Sequence, residues 1–147
     1  MTLGEGDAAP PFSAADQNGT ITSLSQFKGK WLVLYFYPKD FTSGCTKEAC
    51  GFRDKYEVLK RLAAVVGVSA DSQESHAKFA AKLILPFTLL ADEEKIISRS
   101  YGAQAIILTR RFTFLIDPHG KIAKIYRSVD PVSHARIILK DLKKLQE

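Results

Sequence analysis

An α/β fold, with helices flanking a mixed central β-sheet, is what the sequence predicts, and three observations carry that prediction. The stretch Trp31 to Tyr37, WLVLYFY, is an almost unbroken apolar and aromatic run ending at Pro38, the pattern of a central strand covered on both faces. Strand-like and helix-like segments then alternate, as in βαβ units. The chain closes on a hairpin and one amphipathic helix.

Each element follows from its residues. Cys45 to about Leu62 reads as a helix and Ala63 to Ala70, AAVVGVSA, as a second buried strand, completing a βαβ unit. Asp71 with Glu74 resembles a capping box opening a helix to about Leu83, which must stop before Pro86. PFTLL is a short strand. Ala91 to Tyr101 has acids early, Arg99 late and Gly102 as terminator, so a further helix is expected there. Phe112 to Ile116 and Lys121 to Tyr126 form a hairpin around Asp117-Pro118-His119-Gly120, where Pro second and Gly fourth suit a type I turn. Asp130 as N-cap and Pro131 at the first helical position start a helix to about Leu145, with Ile137, Ile138, Leu142 and Leu145 on one stripe.

A chain of 147 residues, 46% hydrophobic and 25% charged, fits one compact domain over 1–147 with a sizeable core. No apolar run approaches the roughly 18 residues that span a bilayer, and MTLGEGDAAPPF lacks a secretory pattern, so no membrane partner and a cytoplasmic location are expected. The net charge of +5 is scattered. Its densest group, Lys140, Lys143 and Lys144, lies in the last turns of the terminal helix, where cations complement the helix dipole, so no nucleic acid is expected to bind. Two cysteines make no zinc site by themselves, and no metal or cofactor is expected. In a reducing compartment a close thiol pair points to reactivity rather than a structural bridge.

The chemistry concentrates in Tyr35 to Asp54, YFYPKDFTSGCTKEACGFRD. A thiol attacks as thiolate, and a free thiol near pKa 8.5 is ionised to only a few per cent at neutral pH. A helix N-terminus favours the anion by about 0.3–1 kcal/mol, whereas a two-unit shift needs about 2.7 kcal/mol. A cation near the sulfur is therefore required. Cys50 follows Cys45 by five positions, which on a regular helix separates the Cα atoms by roughly 8.7 Å, beyond the span of a disulfide. If the pair bonds, the first turns of the helix must unwind. Without the surrounding motif, a small buried Cys50 beside an incidental thiol reads equally well.

Pro38, Thr42 and Cys45 stand in the spacing P-x-x-x-T-x-x-C, which resembles the peroxidatic signature of the peroxiredoxins. With Cys50 in GCTKEACGFRD, the resemblance is to their Q-type branch, also called bacterioferritin comigratory proteins. It extends loosely through GDAAPPFSAADQNG, PFTLLADEE, RFTFLIDPHGKI and HARIILKDLKKL. The resemblance implies a thioredoxin-like fold with Cys45 as peroxidatic nucleophile and Cys50 as resolving thiol. Thr42 would direct its hydroxyl to the thiolate and the peroxide, and Pro38 would shield the site from water. Arg111, before FTFLID, would supply the missing cation, since a guanidinium offers several donors in one plane. Arg110 would point away. The implied partners are a hydroperoxide and thioredoxin or a similar dithiol reductant, and the implied assembly is a monomer.

Departures and rivals remain. Phe41 and Ser43 replace residues usual in the branch, and YGAQAIILTRR is short. Glu48 reads either as an orienter of an arginine or as a helix-surface glutamate paired with a neighbouring cation, and is left out of the catalytic set. His76, His119 and His134 match no metal spacing and are taken as surface residues; Arg53 and Asp54 are taken to brace the helix. A thioredoxin-like thiol-disulfide oxidoreductase is the first rival, although C-x-x-x-x-C stands here instead of C-x-x-C. A non-enzymatic, redox-switched interaction module is the second.

Overall fold

In the computed structural model, which describes residues 2–147, the centre is a five-stranded sheet. An antiparallel hairpin, β1 (Ser13–Ala15) with β2 (Ile21–Ser23), precedes a 3-10 turn at Leu24–Phe27. Then come β3 (Leu32–Phe36), α1 (Ser43–Asp54), α2 (Tyr56–Leu62) and β4 (Ala64–Ser69). The rest is α3 (Gln73–Leu83), β5 (Thr88–Ala91), α4 (Ile96–Ser100), β6 (Thr113–Ile116), β7 (Ile122–Tyr126) and α5 (His134–Leu145). The strand order is β5-β4-β3-β6-β7; β3, β4 and β5 run parallel, whereas β6 is antiparallel to β3 and β7 to β6, so the sheet is mixed.

Strand β3 explains why its sequence shows no polar alternation. Val33 and Tyr35, with Tyr37 beyond the strand, enter one core with Phe52, Leu59, Phe79 and Ile138, while Leu32, Leu34 and Phe36 enter a second with Val68, Tyr101 and Phe114. Side chains alternate across a strand, so a sheet covered twice demands apolar residues at every position. α1, α2, α3 and α5 contribute to the first core. α4, the 3-10 turn and the N-terminal segment around Phe12 contribute to the second. Gly67 in β4 meets a tight requirement: a Cβ there would fall 2.8 Å from the Tyr35 ring and 2.9 Å from Leu89.

Several boundaries differ from the sequence expectation for physical reasons. The helix expected over Cys45 to Leu62 starts two residues earlier and breaks at Lys55, whose φ of −103° and ψ of 6° redirect the chain into α2. Ser72, not Asp71, caps α3, its hydroxyl accepting from the Ser75 amide at 3.1 Å; Asp71 is drawn instead to the Ser69 hydroxyl and the Asp40 amide. The helix expected over Ala91 to Tyr101 is confined to Ile96–Ser100. The buried Asp92 carboxylate accepts from the amides of Ile97 and Ser98 and fixes the start there. Asp130 and Pro131 enter a turn, with the Asp130 side chain accepting from the Val132 amide, and α5 starts only at His134. Its buried stripe is His134, Ala135, Ile138 and Leu142; Ile137 and Leu145 are exposed.

Phe52 is fully buried between Tyr35, at 4.8 Å between ring centroids, and Phe87 at 6.3 Å. Phe52→Ala is expected to cost about 3–5 kcal/mol of stability, measured by urea denaturation, with the largest loss in the anchoring of α1 to the sheet.

Candidate active site

The turn that leads out of β3 places the thiol. Pro38 ends the run of buried residues, Thr42 adopts an extended N-cap conformation (φ −83°, ψ 154°), and the first helical bond runs from the Thr46 amide to the Thr42 carbonyl at 2.9 Å. The amides of Ser43, Gly44 and Cys45 therefore precede the helical ladder and present unpaired donors, the positive end of the dipole, around residue 45. Cys45 is 2% exposed. Cys50 is half-buried further along the same uninterrupted helix, and both cysteines are free thiols.

Arg111 reaches Cys45 from the loop before β6. Its Nη2 donates to Cys45 Sγ at 3.4 Å, and its Nη1 donates to Glu48 Oε1 at 2.8 Å. One planar fork thus joins a sulfur and a carboxylate, both on α1, and fixes the guanidinium orientation. Gly44 makes room for it, since a Cβ at that position would lie 3.0 Å from Arg111 Nη2 and 3.5 Å from Pro131 Cγ. Burial works against the charge on Arg111, but the pull of Glu48 and Cys45 prevails and holds the cation more firmly than usual.

Glu48 is the residue that sequence reasoning left out. It is 1% exposed, so it is not the surface glutamate considered as one reading; it lies inside, paired with Arg111, and its Oε2 has no hydrogen-bond partner among the described residues. Burial outweighs Arg111 and raises its carboxyl from the ordinary range to about 7. The signal that could have found it is spacing: three positions beyond Cys45, it shares the thiol's face of α1. The histidine expectation also needs correction. His76 and His134 are buried, and only His119 is exposed. His134 Nε2 lies 2.8 Å from the Thr113 hydroxyl, and burial, assisted by Arg111, lowers its pKa to about 4, so it adds no cation beside the sulfur.

The remaining residues fall as follows. Thr42 is exposed, and its hydroxyl donates to the Lys39 carbonyl at 2.7 Å, which leaves the oxygen lone pairs, not the hydrogen, available to a ligand. Pro38 is half-buried next to the fully buried Tyr37. Arg110 points away from the thiol, its guanidinium carbon 6.0 Å from the centroid of the Phe112 ring. Arg53 bonds Asp54 and the Leu83 carbonyl and so braces α1 against α3, as expected.

Because the Glu48 carboxyl is held above its ordinary range, folding favours its protonated form. That contribution is complete below about pH 4.5 and is lost as pH rises through about 7. Glu48→Gln is expected to flatten this decline and to stabilise the protein above neutrality, read from urea midpoints at about pH 5 and about pH 8.

Comparison with known proteins identifies relatives of the whole chain. Residues 5–125 match the AhpC/TSA family. The chloroplastic peroxiredoxin Q of Sedum lineare is 46% identical over 147 residues, covering 97% of this chain and 79% of that protein. Peroxiredoxin Bcp of Bacillus subtilis is 42% identical over 156 residues, covering 100% and 99%. Among solved structures, a cysteine-to-serine mutant of Xylella fastidiosa PrxQ superposes with a TM-score of 0.95 at 32% identity, covering 100% of this chain and 99% of that one. The Xanthomonas campestris bacterioferritin comigratory protein, studied for alkyl peroxide reduction, has a TM-score of 0.89 at 32% identity over 92% of each chain. With a thioredoxin-like sheet, a buried thiol under an arginine and matches along almost its whole length, this chain belongs to the AhpC/TSA family, in its peroxiredoxin Q/Bcp branch.

Proposed function

We propose that the protein is a thiol-dependent peroxidase in which Cys45 reduces hydrogen peroxide and organic hydroperoxides, including alkyl hydroperoxides. The observation that carries this reading is the Arg111 fork on Cys45 Sγ. A cation in contact with the sulfur favours the thiolate, and its remaining donor capacity can meet negative charge as the peroxide bond breaks. Thr42 supports the same reading, since its oxygen, with its hydrogen committed to Lys39, is an acceptor for the hydroxyl of a hydroperoxide. Pro38 limits the access of water. In this scheme the Cys45 thiolate attacks the terminal peroxide oxygen in line, the O–O bond breaks, and an alcohol or water departs after taking up a proton. Cys45 is left as sulfenic acid.

Cys50 is the resolving thiol in this scheme. It condenses with the sulfenic acid, a water leaves, and a Cys45–Cys50 disulfide forms; thioredoxin or a similar dithiol then reduces it. α1 is continuous through both positions, so the bond requires its N-terminal turns to unwind. Among the described residues no helix is long and apolar enough to cross a membrane. The cycle suits a monomer in a reducing compartment such as the cytoplasm, and it asks for no metal or cofactor.

Cys45→Ser is expected to abolish peroxide consumption in a coupled thioredoxin assay; persistent consumption would remove the assignment. Cys50→Ser is expected to retain one stoichiometric turnover and to lose thioredoxin-linked cycling, as followed by mass spectrometry of residue 45. An insulin-reduction assay run in parallel should show little activity; strong activity there would favour a general thiol-disulfide oxidoreductase.

A further inference from the structure

Directly before the thiol helix, the turn Pro38 to Phe41 is tied down by a network that the peroxidase scheme does not use. Asp40 is 3% exposed and His76 wholly buried. The Asp40 Oδ1 accepts from the Tyr37 hydroxyl at 2.6 Å; Oδ2 accepts from the Ser75 hydroxyl at 2.8 Å and lies 2.7 Å from His76 Nδ1. The Asp40 amide donates to Asp71 Oδ2 at 2.8 Å, and Asp71 Oδ2 also accepts from the Ser69 hydroxyl. His76 Nε2 lies 2.9 Å from the Leu90 carbonyl. A carbonyl only accepts, so Nε2 carries a hydrogen, and the short Nδ1 to Oδ2 contact requires a proton of its own. The group of Asp40, Asp71 and His76 has the composition of a cation site, but these contacts already engage both Asp40 oxygens, one oxygen of Asp71 and both imidazole nitrogens, so the group serves as a clasp.

The clasp acts on strained backbone. Phe41, a non-glycine residue, is held at φ +66°, in the left-handed region that its side chain disfavours, with its ring edge-on to Phe79 at 5.1 Å. Ser75, His76 and Phe79 all belong to α3. One face of α3 therefore grips both sides of a turn that is stressed in isolation, and the next residue is Thr42, the N-cap of α1.

Accepting Cys45 as the peroxidatic thiol, we propose that Asp40 and His76 are positioning residues whose clasp keeps the first turns of α1 wound and thereby sets how oxidised Cys45 is partitioned. Two fates compete for the sulfenic acid. With α1 unwound, it condenses with the Cys50 thiol, releasing water and forming the disulfide. With α1 wound, Cys50 is out of reach, and a second hydroperoxide oxidises the sulfur to sulfinic acid while itself being reduced to alcohol or water. Loosening the clasp shifts the balance toward the disulfide and slows the first reaction with peroxide.

The two nitrogens of His76 can be tested separately. In His76→Asn the amide nitrogen takes the place of Nδ1 and keeps the bond to Asp40; in His76→Gln it takes the place of Nε2 and keeps only the bond to Leu90. His76→Gln is expected to raise amide exchange across residues 38–46 of the reduced protein by about tenfold. It is also expected to lower several-fold the share of Cys45 found as sulfinic acid after excess peroxide, by mass spectrometry. His76→Asn should stay near the wild type in both. Ser75→Ala, which removes one bond to Asp40 at a half-buried position, should move both readouts in the direction of His76→Gln but less. Equal behaviour of the two histidine variants, or faster exchange without any change in sulfinic acid, overturns the proposal. A wild-type protein that leaves peroxide untouched sinks the peroxidase reading instead, and the exchange comparison still decides whether the clasp winds the helix.

Discussion

The guanidinium of Arg111 lies between a sulfur and a carboxylate that are each almost wholly excluded from water, and the arrangement around the thiol depends on that placement. Neither group is easily buried alone: an unpaired anion in a protein interior is costly, and Glu48 shows this in a carboxyl held near neutrality despite its ion pair. With the arginine in place, one cation serves both, and the geometry of its fork fixes where the second nitrogen meets Cys45. Gly44 leaves room for the guanidinium at the start of α1, and His134, kept neutral, lies nearby without competing for the anion.

Burial of the thiol raises the question of access. Cys45 is 2% exposed, yet it lies at the open end of a helix whose N-cap, Thr42, is exposed, and the half-exposed Phe41 stands beside it. Bulk water is thereby largely kept from the sulfur. It is sealed toward the core by Tyr35, Tyr37 and Phe52, residues that the sheet and α1 hold in contact. The fold thus supplies a dry floor, a charged wall and a backbone rim from three different parts of the chain.

Much of this was legible from the sequence, and the parts that were not share a cause. The doubly covered β3, the parallel β3-β4 unit, the closing hairpin and the thiol at a helix start all follow from local pattern and turn chemistry, because those are short-range properties. The N-terminal hairpin leaves no sequence signal because its strands are only three residues long and carry no alternation. Asp92 moved a helix start by bonding amides five and six residues ahead, which no adjacent pair of residues reveals. Charge alone suggests water for Glu48, His76 and His134, and that is why the sequence by itself does not place them inside. Their position on buried stripes, Glu48 with Cys45 and Phe52, His76 with Phe79 and Ala80, His134 with Ile138 and Leu142, was the better guide. Arg111 carries no local signal, since its partners are more than sixty residues away, and only the family likeness points to it.

Gly51 sits one position beyond Cys50, close enough to α5 that a Cβ there would touch that of Ala135 at 3.4 Å, and Phe52 follows it into the core. The close approach to α5 and the buried Phe52 thus anchor α1 just past the second sulfur. In the scheme proposed above, joining the two sulfurs would rearrange the stretch ahead of that anchor, which would remain as the seat for rewinding.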